Sequence, residues 1–391
     1  MSLTKVSYSM ITGAPVNALD YGADPTGAVN STAAIQAALN ASSNVYLPPG
    51  TYRIETSLSI PGVFQQTRRI SGAGFGYTTL QWYGSTSGTM FTTASRSGVI
   101  VEGIKFKNQV ALGSTACLAA GPGGWEYSSI RNNMIEGFNV GIGMGTGAAD
   151  DSFFNTIAEN LFVDCGYGIF VQGTTSGLLP SNANWVNRNK FQNCGYGIYW
   201  IGSFTTNDFS FNDFEGAATN GIYIEGNDST IINCYFEVTT GNSINIASGA
   251  YNYIINPSHA GTSGTLVDNG TRTTIFNQRN DYFQWGNQRR WAVQNVAYAA
   301  TITPNAKLGD NIYVGVLTGN LTLNLPTNSY PGQTITFFFF QDSVGGRSVT
   351  YSGANWRVRS DTIDTTPFNW SSVTFATDGT WWQQVANAKQ S

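Results

Sequence analysis

Between residues 100 and 260 apolar and polar positions alternate in short runs, and the runs recur every 22 to 29 residues. Four copies read Asn133-Met-Ile-Glu-Gly-Phe-Asn-Val-Gly-Ile142, Asn160-Leu-Phe-Val-Asp-Cys-Gly-Tyr-Gly-Ile169, Asn189-Lys-Phe-Gln-Asn-Cys-Gly-Tyr-Gly-Ile198 and Asn212-Asp-Phe-Glu-Gly-Ala-Ala-Thr-Asn-Gly-Ile222, the last with one residue inserted. With the third position of each block as the register, Phe106, Ile135, Phe162, Phe191, Phe214 and Phe236 follow at intervals of 29, 27, 29, 23 and 22. Each unit holds two alternating stretches, such as Gly-Ile-Tyr-Trp-Ile at 197–201, joined by Gly and Asn. Period-two alternation predicts strands. One such coil cannot bury its inner face alone, so coils must stack at about 4.8 Å and share a core. The pattern predicts a parallel β-helix, because antiparallel hairpins would not hold one register over six units.

The flanks follow other rules. Asn30-Ser-Thr-Ala-Ala-Ile-Gln-Ala-Ala-Leu-Asn reads as a short helix capped by Asn30 or Ser31, with Ala34, Ile35, Ala38 and Leu39 as its apolar stripe. Such a helix covers the open first coil and hides strand edges that would otherwise aggregate. Periodicity stops near Asn277 to Trp291, which reads as a linker. Beyond it, stretches 299–303, 311–317, 320–325, 333–340, 347–351, 371–376 and 381–385 alternate between turns such as Tyr330-Pro-Gly, a spacing that predicts an antiparallel sandwich. The run Phe337 to Phe340 calls for burial on both faces, inside the sandwich or between subunits. The expected organisation is an N-terminal segment 1–16, a capping segment 17–60, the β-helix 61–280, a linker 281–295 and the sandwich 296–391, the last serving oligomerisation or accessory binding.

Composition narrows the function. Only 11% of the 391 residues are charged, the net charge is −4 and no run of Lys or Arg exists, which argues against nucleic acid or an anionic membrane as partner. The start, Met-Ser-Leu-Thr-Lys-Val, lacks the apolar core of a secretion signal, and no apolar run approaches the roughly 18 residues that span a bilayer. Cys165 and Cys194 share a position in consecutive coils, where side chains point the same way, so they read as small interior residues at a turn rather than as a bridge. The four Cys have no metal-like spacing to His259, which stands apart from the repeat and reads as structural; no metal or cofactor is expected.

At Ala33 to Ala38, within Thr-Ala-Ala-Ile-Gln-Ala-Ala, and at Pro48-Pro-Gly-Thr-Tyr52, the chain resembles the amino-terminal segment of the pectate-lyase-like β-helix superfamily, which includes phage tailspikes. The family's Asp-Gly and Asp-Asp are replaced here by Pro25-Thr-Gly27 and Asn30-Ser31. The resemblance covers roughly residues 15 to 285, and it implies an all-β, right-handed parallel β-helix with an N-terminal capping helix. It leaves the chemistry open, since lyases, hydrolases and pure binders share the architecture. Leu308-Gly-Asp, Leu317-Thr-Gly-Asn-Leu-Thr-Leu, Pro331-Gly-Gln-Thr-Ile-Thr-Phe and Asp378-Gly-Thr-Trp-Trp resemble a small terminal domain of phage tail proteins, which implies oligomerisation or accessory binding. The tailspike resemblance, with the Phe337 to Phe340 run, leads us to expect a homotrimer, phage tail or baseplate partners, and a virion location.

If the Phe register points inward, its neighbours point outward. Glu215 and Glu237 then become rung neighbours, with Asp213 on the same face. Clustered carboxylates are what glycoside hydrolysis requires: one with a raised pKa protonates the leaving oxygen, the other activates water or attacks carbon. Glu215 and Glu237 are the candidate acid–base pair and Asp213 the assistant, unless the three are simply solvated surface acids. Asp150, Asp151 and Glu225 stand next. Tyr199 and Tyr223, following Phe170 in a second outward ladder, are candidates to hold sugar rings on their π faces, and Trp185, in the loop Asn182-Ala-Asn-Trp, is a weaker one. The expected activity is that of a tailspike depolymerising a bacterial surface polysaccharide by hydrolysis. A polysaccharide lyase, for which Arg131, Arg188 and Lys190 would neutralise a uronate, and a non-catalytic receptor-binding spike remain the alternatives.

Overall fold

The computed structural model describes residues 14–390 except 63–65, 94–97, 122–123, 145–151, 173–180, 203–205, 238–239, 250–251, 256, 261–264, 271–272, 277–292, 307, 330 and 360–362. Residues 281–292 of the expected linker and nearly all of the N-terminal segment therefore lie outside the described residues, as do Asp150 and Asp151, whereas 293–295, also expected in the linker, belong to the strand Val293–Val296. The chain forms two compact units, residues 1–284 and 285–391.

Among the described residues the first unit is a β-solenoid of three parallel sheets with eleven, ten and nine strands, here called the first, second and third sheet. One coil runs from Trp185–Asn187 in the first sheet to Lys190–Gln192 in the second and Tyr196–Ile201 in the third. The repeat register holds at every step: Phe106 pairs with Ile135, Ile135 with Phe162, Phe162 with Phe191, Phe191 with Phe214 and Phe214 with Phe236. His259 follows Phe236 in this column, so it is not off the repeat. Its coil lacks the Gly-x-Gly-Ile signature, which hid the register.

Two local devices make each coil bend. Between the first and second sheets, Asn132, Glu159, Arg188 and Phe211 adopt positive φ of 54°, 59°, 54° and 56°. That turns the chain so that the next residue, Asn133, Asn160, Asn189 or Asn212, points inward and is buried. These asparagines form a ladder: Asn160 Nδ2 donates to Asn189 Oδ1 at 3.0 Å and to the Ile130 carbonyl at 2.8 Å, and the Asn160 backbone N–H donates to the same Oδ1 at 3.0 Å. Asn155, Asn184 and Asn207 build a second ladder before the first sheet. Buried amides are thus satisfied by the coils above and below, which binds neighbouring turns.

The second device explains the Gly of each block. Phe162, Phe191, Phe214 and Phe236 stack at 4.8, 4.8 and 4.9 Å. A Cβ on Gly197 would lie 2.5 Å from Cδ1 of Phe214, and one on Gly168 equally close to Phe191. The ring column occupies the space a side chain would need. Cys165 and Cys194, inward at the turn into the third sheet, are buried free thiols, as their shared position implied.

The helix Thr32–Ala41 buries Ile35, Ala38 and Leu39 and packs beside strand Leu58–Ile60. Asn30 supplies the cap, its Oδ1 accepting the Thr32 N–H at 2.9 Å.

The second unit corrects the expected antiparallel sandwich. It is a mixed sheet of six strands with a second sheet of three. Val293–Val296, Asn311–Val314 and Thr334–Phe340 run parallel in the larger sheet, and Thr301–Ile302, Leu321–Asn324 and Val349–Ser352 run parallel in the smaller. The chain alternates between the two, so this part again stacks coils. Among the described strands of the larger sheet, Trp370–Thr377 runs against its neighbours, pairing antiparallel with both Thr334–Phe340 and Trp382–Lys389, and the latter pairs parallel with Trp356–Arg357. Alternation with evenly spaced turns reveals strands but not their direction, and that is where the expectation failed. Phe337 and Phe339 enter a core with Ile312, Leu323, Val373 and Phe375, while Phe338, half-buried on the other face, stacks on Tyr313 at 4.3 Å.

Candidate functional site

The outward face of the second sheet carries two columns of side chains, one residue before and one after each buried Phe. Strand Asp213–Glu215 contributes Asp213 and Glu215. Lys190–Gln192 precedes it, pairing Lys190 with Asp213 and Gln192 with Glu215. Tyr235–Glu237 follows, pairing Tyr235 with Asp213 and Glu237 with Glu215. The three expected carboxylates therefore share one face on two adjacent rungs.

Their environments differ. Lys190 Nζ lies 2.6 Å from Glu215 Oε1 and 3.5 Å from Asp213 Oδ2, and Gln192 Nε2 donates to Glu215 Oε2 at 2.9 Å. The Lys190 and Gln192 hydrogen bonds hold the Glu215 carboxyl below its usual range, and the Glu215 carboxylate in turn raises the Lys190 ammonium. Asp213 moves the other way. Burial raises its pKa, and the neighbouring charges of Glu215 and Glu237 add to that, against the pull of Lys190. Burial thus leads, and repulsion between the carboxylates comes second. Asp213 Oδ1 is a buried oxygen without a hydrogen-bond partner, as suits an atom that carries a proton or meets a ligand. Tyr235 donates to Glu237 Oε2 at 3.1 Å, and that bond raises the Tyr235 phenol.

Sequence reasoning missed Gln192 and Tyr235 and gave Lys190 a different role. The signal was available in the rung arithmetic, since all three flank the buried Phe positions. What the arithmetic lacked was the diagonal reach of Lys190 from the Asp213 column to Glu215, which only side-chain length decides. Of the cations expected to serve a lyase, Arg131 pairs with Glu102 at 3.0 Å, Arg188 lies 3.9 Å from Glu159, and Lys190 is held as above.

The aromatic candidates lie on other sheets. Tyr199 and Tyr223 are rung neighbours in the third sheet, in line with Phe170. Tyr199 stacks on Phe170 at 5.5 Å on one side and on Tyr223 at 4.8 Å on the other, nearly parallel to both. Ring neighbours thus cover both of its faces, and the ladder offers edges and hydroxyls instead of the open π faces expected. Tyr223 donates to Glu225 Oε1 at 2.8 Å, and burial together with that bond raises its phenol pKa. Trp185 belongs to the first sheet, where it opens a strand instead of sitting in a loop. It is 44% exposed, and its rung neighbours, Thr156 and Asp208, are not aromatic. The structure thus brings Asp213, Glu215 and Glu237 together and distributes Tyr199, Tyr223 and Trp185 over two further sheets. Among the described residues no group of three or more His, Cys, Asp or Glu is arranged to hold a metal ion.

Residues 15–243 match the model of the family described as rhamnogalacturonase A/epimerase, pectate lyase-like. Residues 302–382 match that of a phage tail fibre C-terminal domain. The resemblances read from Ala33 to Tyr52 and from the terminal turns are both borne out. No curated protein matches the chain in sequence. Similar solved structures include the ORF18 protein of Geobacillus virus E2, at 15% identity over 96% of this chain and 76% of that one with a TM-score of 0.46. The tailspike of Acinetobacter baumannii phage AM24 is 12% identical over 96% of this chain and 73% of its own, with a TM-score of 0.44. The Dettilon tailspike is 13% identical over 93% and 76%, with a TM-score of 0.46. At such identities and scores these likenesses say nothing about activity.

Proposed function

The chain belongs to the rhamnogalacturonase A/epimerase, pectate lyase-like family, and on that footing we propose that it is a phage tailspike that binds a bacterial surface polysaccharide and cleaves it by glycoside hydrolysis on the outward face of the second sheet. The observation that carries this reading is the placement of Asp213, Glu215 and Glu237 on one outward face of adjacent rungs, with Lys190 2.6 Å from Glu215 and 3.5 Å from Asp213, an arrangement that lowers the Glu215 carboxyl while burial raises that of Asp213. Two carboxyls whose environments push their pKa values apart divide into an acid and an anion.

Asp213, whose pKa burial and the charges beside it raise, gives its proton to the glycosidic oxygen as the bond from that oxygen to the anomeric carbon breaks. Glu237 takes a proton from the water whose oxygen bonds to that carbon. Glu215, fixed as an anion by Lys190 and Gln192, faces the positive charge that develops on the sugar and keeps Asp213 protonated between turnovers. The net reaction adds one water across one glycosidic bond. This exchanges the roles expected of Asp213 and Glu215, because both Glu215 oxygens already accept hydrogen bonds.

The match of residues 302–382 to a tail-fibre domain supports placement on the virion, with tail or baseplate proteins as partners and a homotrimer as the working assembly. Incubation with capsule or lipopolysaccharide of the host tests the activity. New reducing ends without ultraviolet-absorbing ends support hydrolysis, unsaturated ends reveal a lyase, and binding with neither reveals a receptor-binding spike. Light scattering tests the assembly, and a particle of 42.0 kDa at micromolar concentration refutes the trimer.

A further inference from the structure

Charge is distributed unevenly along the solenoid. Residues 137–270 hold eleven carboxylates and two cations, Arg188 and Lys190, for a net charge of −9. Residues 53–136 hold seven cations and four carboxylates, for a net charge of +3. The proposed catalytic rungs therefore sit inside the strongly acidic half.

The cations that could offset this are already engaged. Lys105 and Lys107 lie 2.6 and 2.9 Å from Glu136, Arg69 and Arg131 share Glu102, and Arg53 lies 2.6 Å from Glu55. Arg68 donates to the Ser42 carbonyl at 3.0 Å. Arg188 and Lys190 face Glu159 and the Asp213–Glu215 pair. Every described Lys and Arg of the solenoid thus already serves an acceptor within the chain.

We infer that the polysaccharide cleaved here carries no carboxylate or phosphate: its repeat is built of neutral hexoses, N-acylated amino sugars or sugars with free amines. The inference rests on the hydrolase reading of the same rungs and names its substrate class. A uronate polymer laid along the second sheet would bring one carboxylate about every sugar against Asp213, Glu215 and Glu237, where among the described residues every cation already has an acceptor, and like charges a few ångströms apart repel even in water. A neutral polymer meets no such barrier. It also leaves the proton on Asp213, whereas binding an anion beside Asp213 would press its pKa still higher and slow release of the proton in the bond-breaking step.

The test separates host surface polysaccharides by anion exchange into a retained, anionic fraction and an unretained, neutral or cationic one, and offers each to the full-length protein. New reducing ends and, separately, bound protein are measured in both. The expected result is cleavage of the unretained fraction at least tenfold faster than the retained one. Faster cleavage of the retained fraction overturns the inference while leaving the hydrolase reading intact. Binding confined to the unretained fraction without reducing ends overturns the hydrolase reading and leaves the substrate class standing. Neither binding nor cleavage in either fraction overturns both.

Discussion

Lys190 stands one rung before Asp213, yet its ammonium lies nearer Glu215, 2.6 Å against 3.5 Å. The diagonal reach makes one cation the arbiter between two carboxyls on the same strand. It fixes Glu215 as an anion and leaves Asp213 to burial.

Replacing Lys190 by Met should therefore move the acidic limb of the pH–rate profile. Glu215 is held below its usual range by Lys190, so in the parent it stays charged as pH falls, and its contribution to activity is lost only when pH drops through that lowered value. Without the ammonium its pKa rises and activity is lost at higher pH. The same linkage predicts a small stability effect: a depressed carboxyl stabilises the fold above its unfolded pKa, and that contribution disappears as pH falls through the folded value. The pair is partly exposed, so the stability loss should stay within about 1 kcal/mol. A profile unchanged by Lys190→Met would show that Glu215 does not titrate in the reaction.

Asp213→Asn and Glu237→Gln should each lower turnover by about 100-fold to 10,000-fold while binding of the polysaccharide is nearly kept, since the lost contacts form in the transition state. Glu215→Gln should also slow turnover, and it should move the basic limb to lower pH, because Asp213 loses a neighbour that keeps it protonated. Full activity in Asp213→Asn sinks the assignment and redirects attention to Asp150, Asp151 and Glu225.

How much of this was legible before the fold was known follows from geometry. A solenoid turns side-chain placement into one-dimensional counting, so the pairing of Glu215 with Glu237 followed from the spacing of Phe214 and Phe236, and it is observed. The counting fails where direction or reach matters. Strands 311–314 and 334–340 alternate as hairpin strands would, yet they run parallel. The buried asparagine ladder was visible as Asn133, Asn160, Asn189 and Asn212, but Asn is common in turns, and only the positive φ before each one sends it inward. Trp185 sat among Asn residues that mimic a loop. Tyr199 was placed in the correct ladder, but its register could not say that ring neighbours cover its faces.

Asn189→Ala should destabilise the solenoid out of proportion to its size. Asn189 Oδ1 accepts from both the backbone N–H and the side-chain Nδ2 of Asn160, so its loss strands two buried donors at about 1 to 3 kcal/mol each. The urea midpoint should fall clearly. A midpoint equal to the parent's would mean that water replaces the amide at no cost.

Phe191→Ala removes a ring stacked on both sides and should cost about 3 to 5 kcal/mol, because the column cannot collapse onto the hole. Gly197→Ala tests the same column by overpacking: its new Cβ would meet the Phe214 ring at 2.5 Å, and the strain should cost about 1 to 3 kcal/mol. Chemical denaturation of both variants decides the matter, and a Gly197→Ala protein as stable as the parent would show that both the Phe214 ring and the Gly221 carbonyl, 2.7 Å from the new Cβ, give way at no cost.

The aromatic ladder calls for a pair of variants. Tyr199→Ala opens a gap between Phe170 and Tyr223 and should reduce both stability and binding, so by itself it cannot separate structure from recognition. Tyr199→Phe keeps the ring and its two stacks and removes only the hydroxyl. If the polysaccharide is held by the ladder's polar edges, Tyr199→Phe should weaken binding several-fold with turnover at saturation and the denaturation midpoint both unchanged. Trp185→Ala, in the first sheet, provides the contrast: its rung partners Thr156 and Asp208 are not aromatic, and a face open to a sugar would make its loss costlier to binding than that of the Tyr199 hydroxyl. Equal, parental binding in Tyr199→Phe and Trp185→Ala would remove both from the recognition surface and confine the sugar to the second sheet, between Lys190 and Glu237.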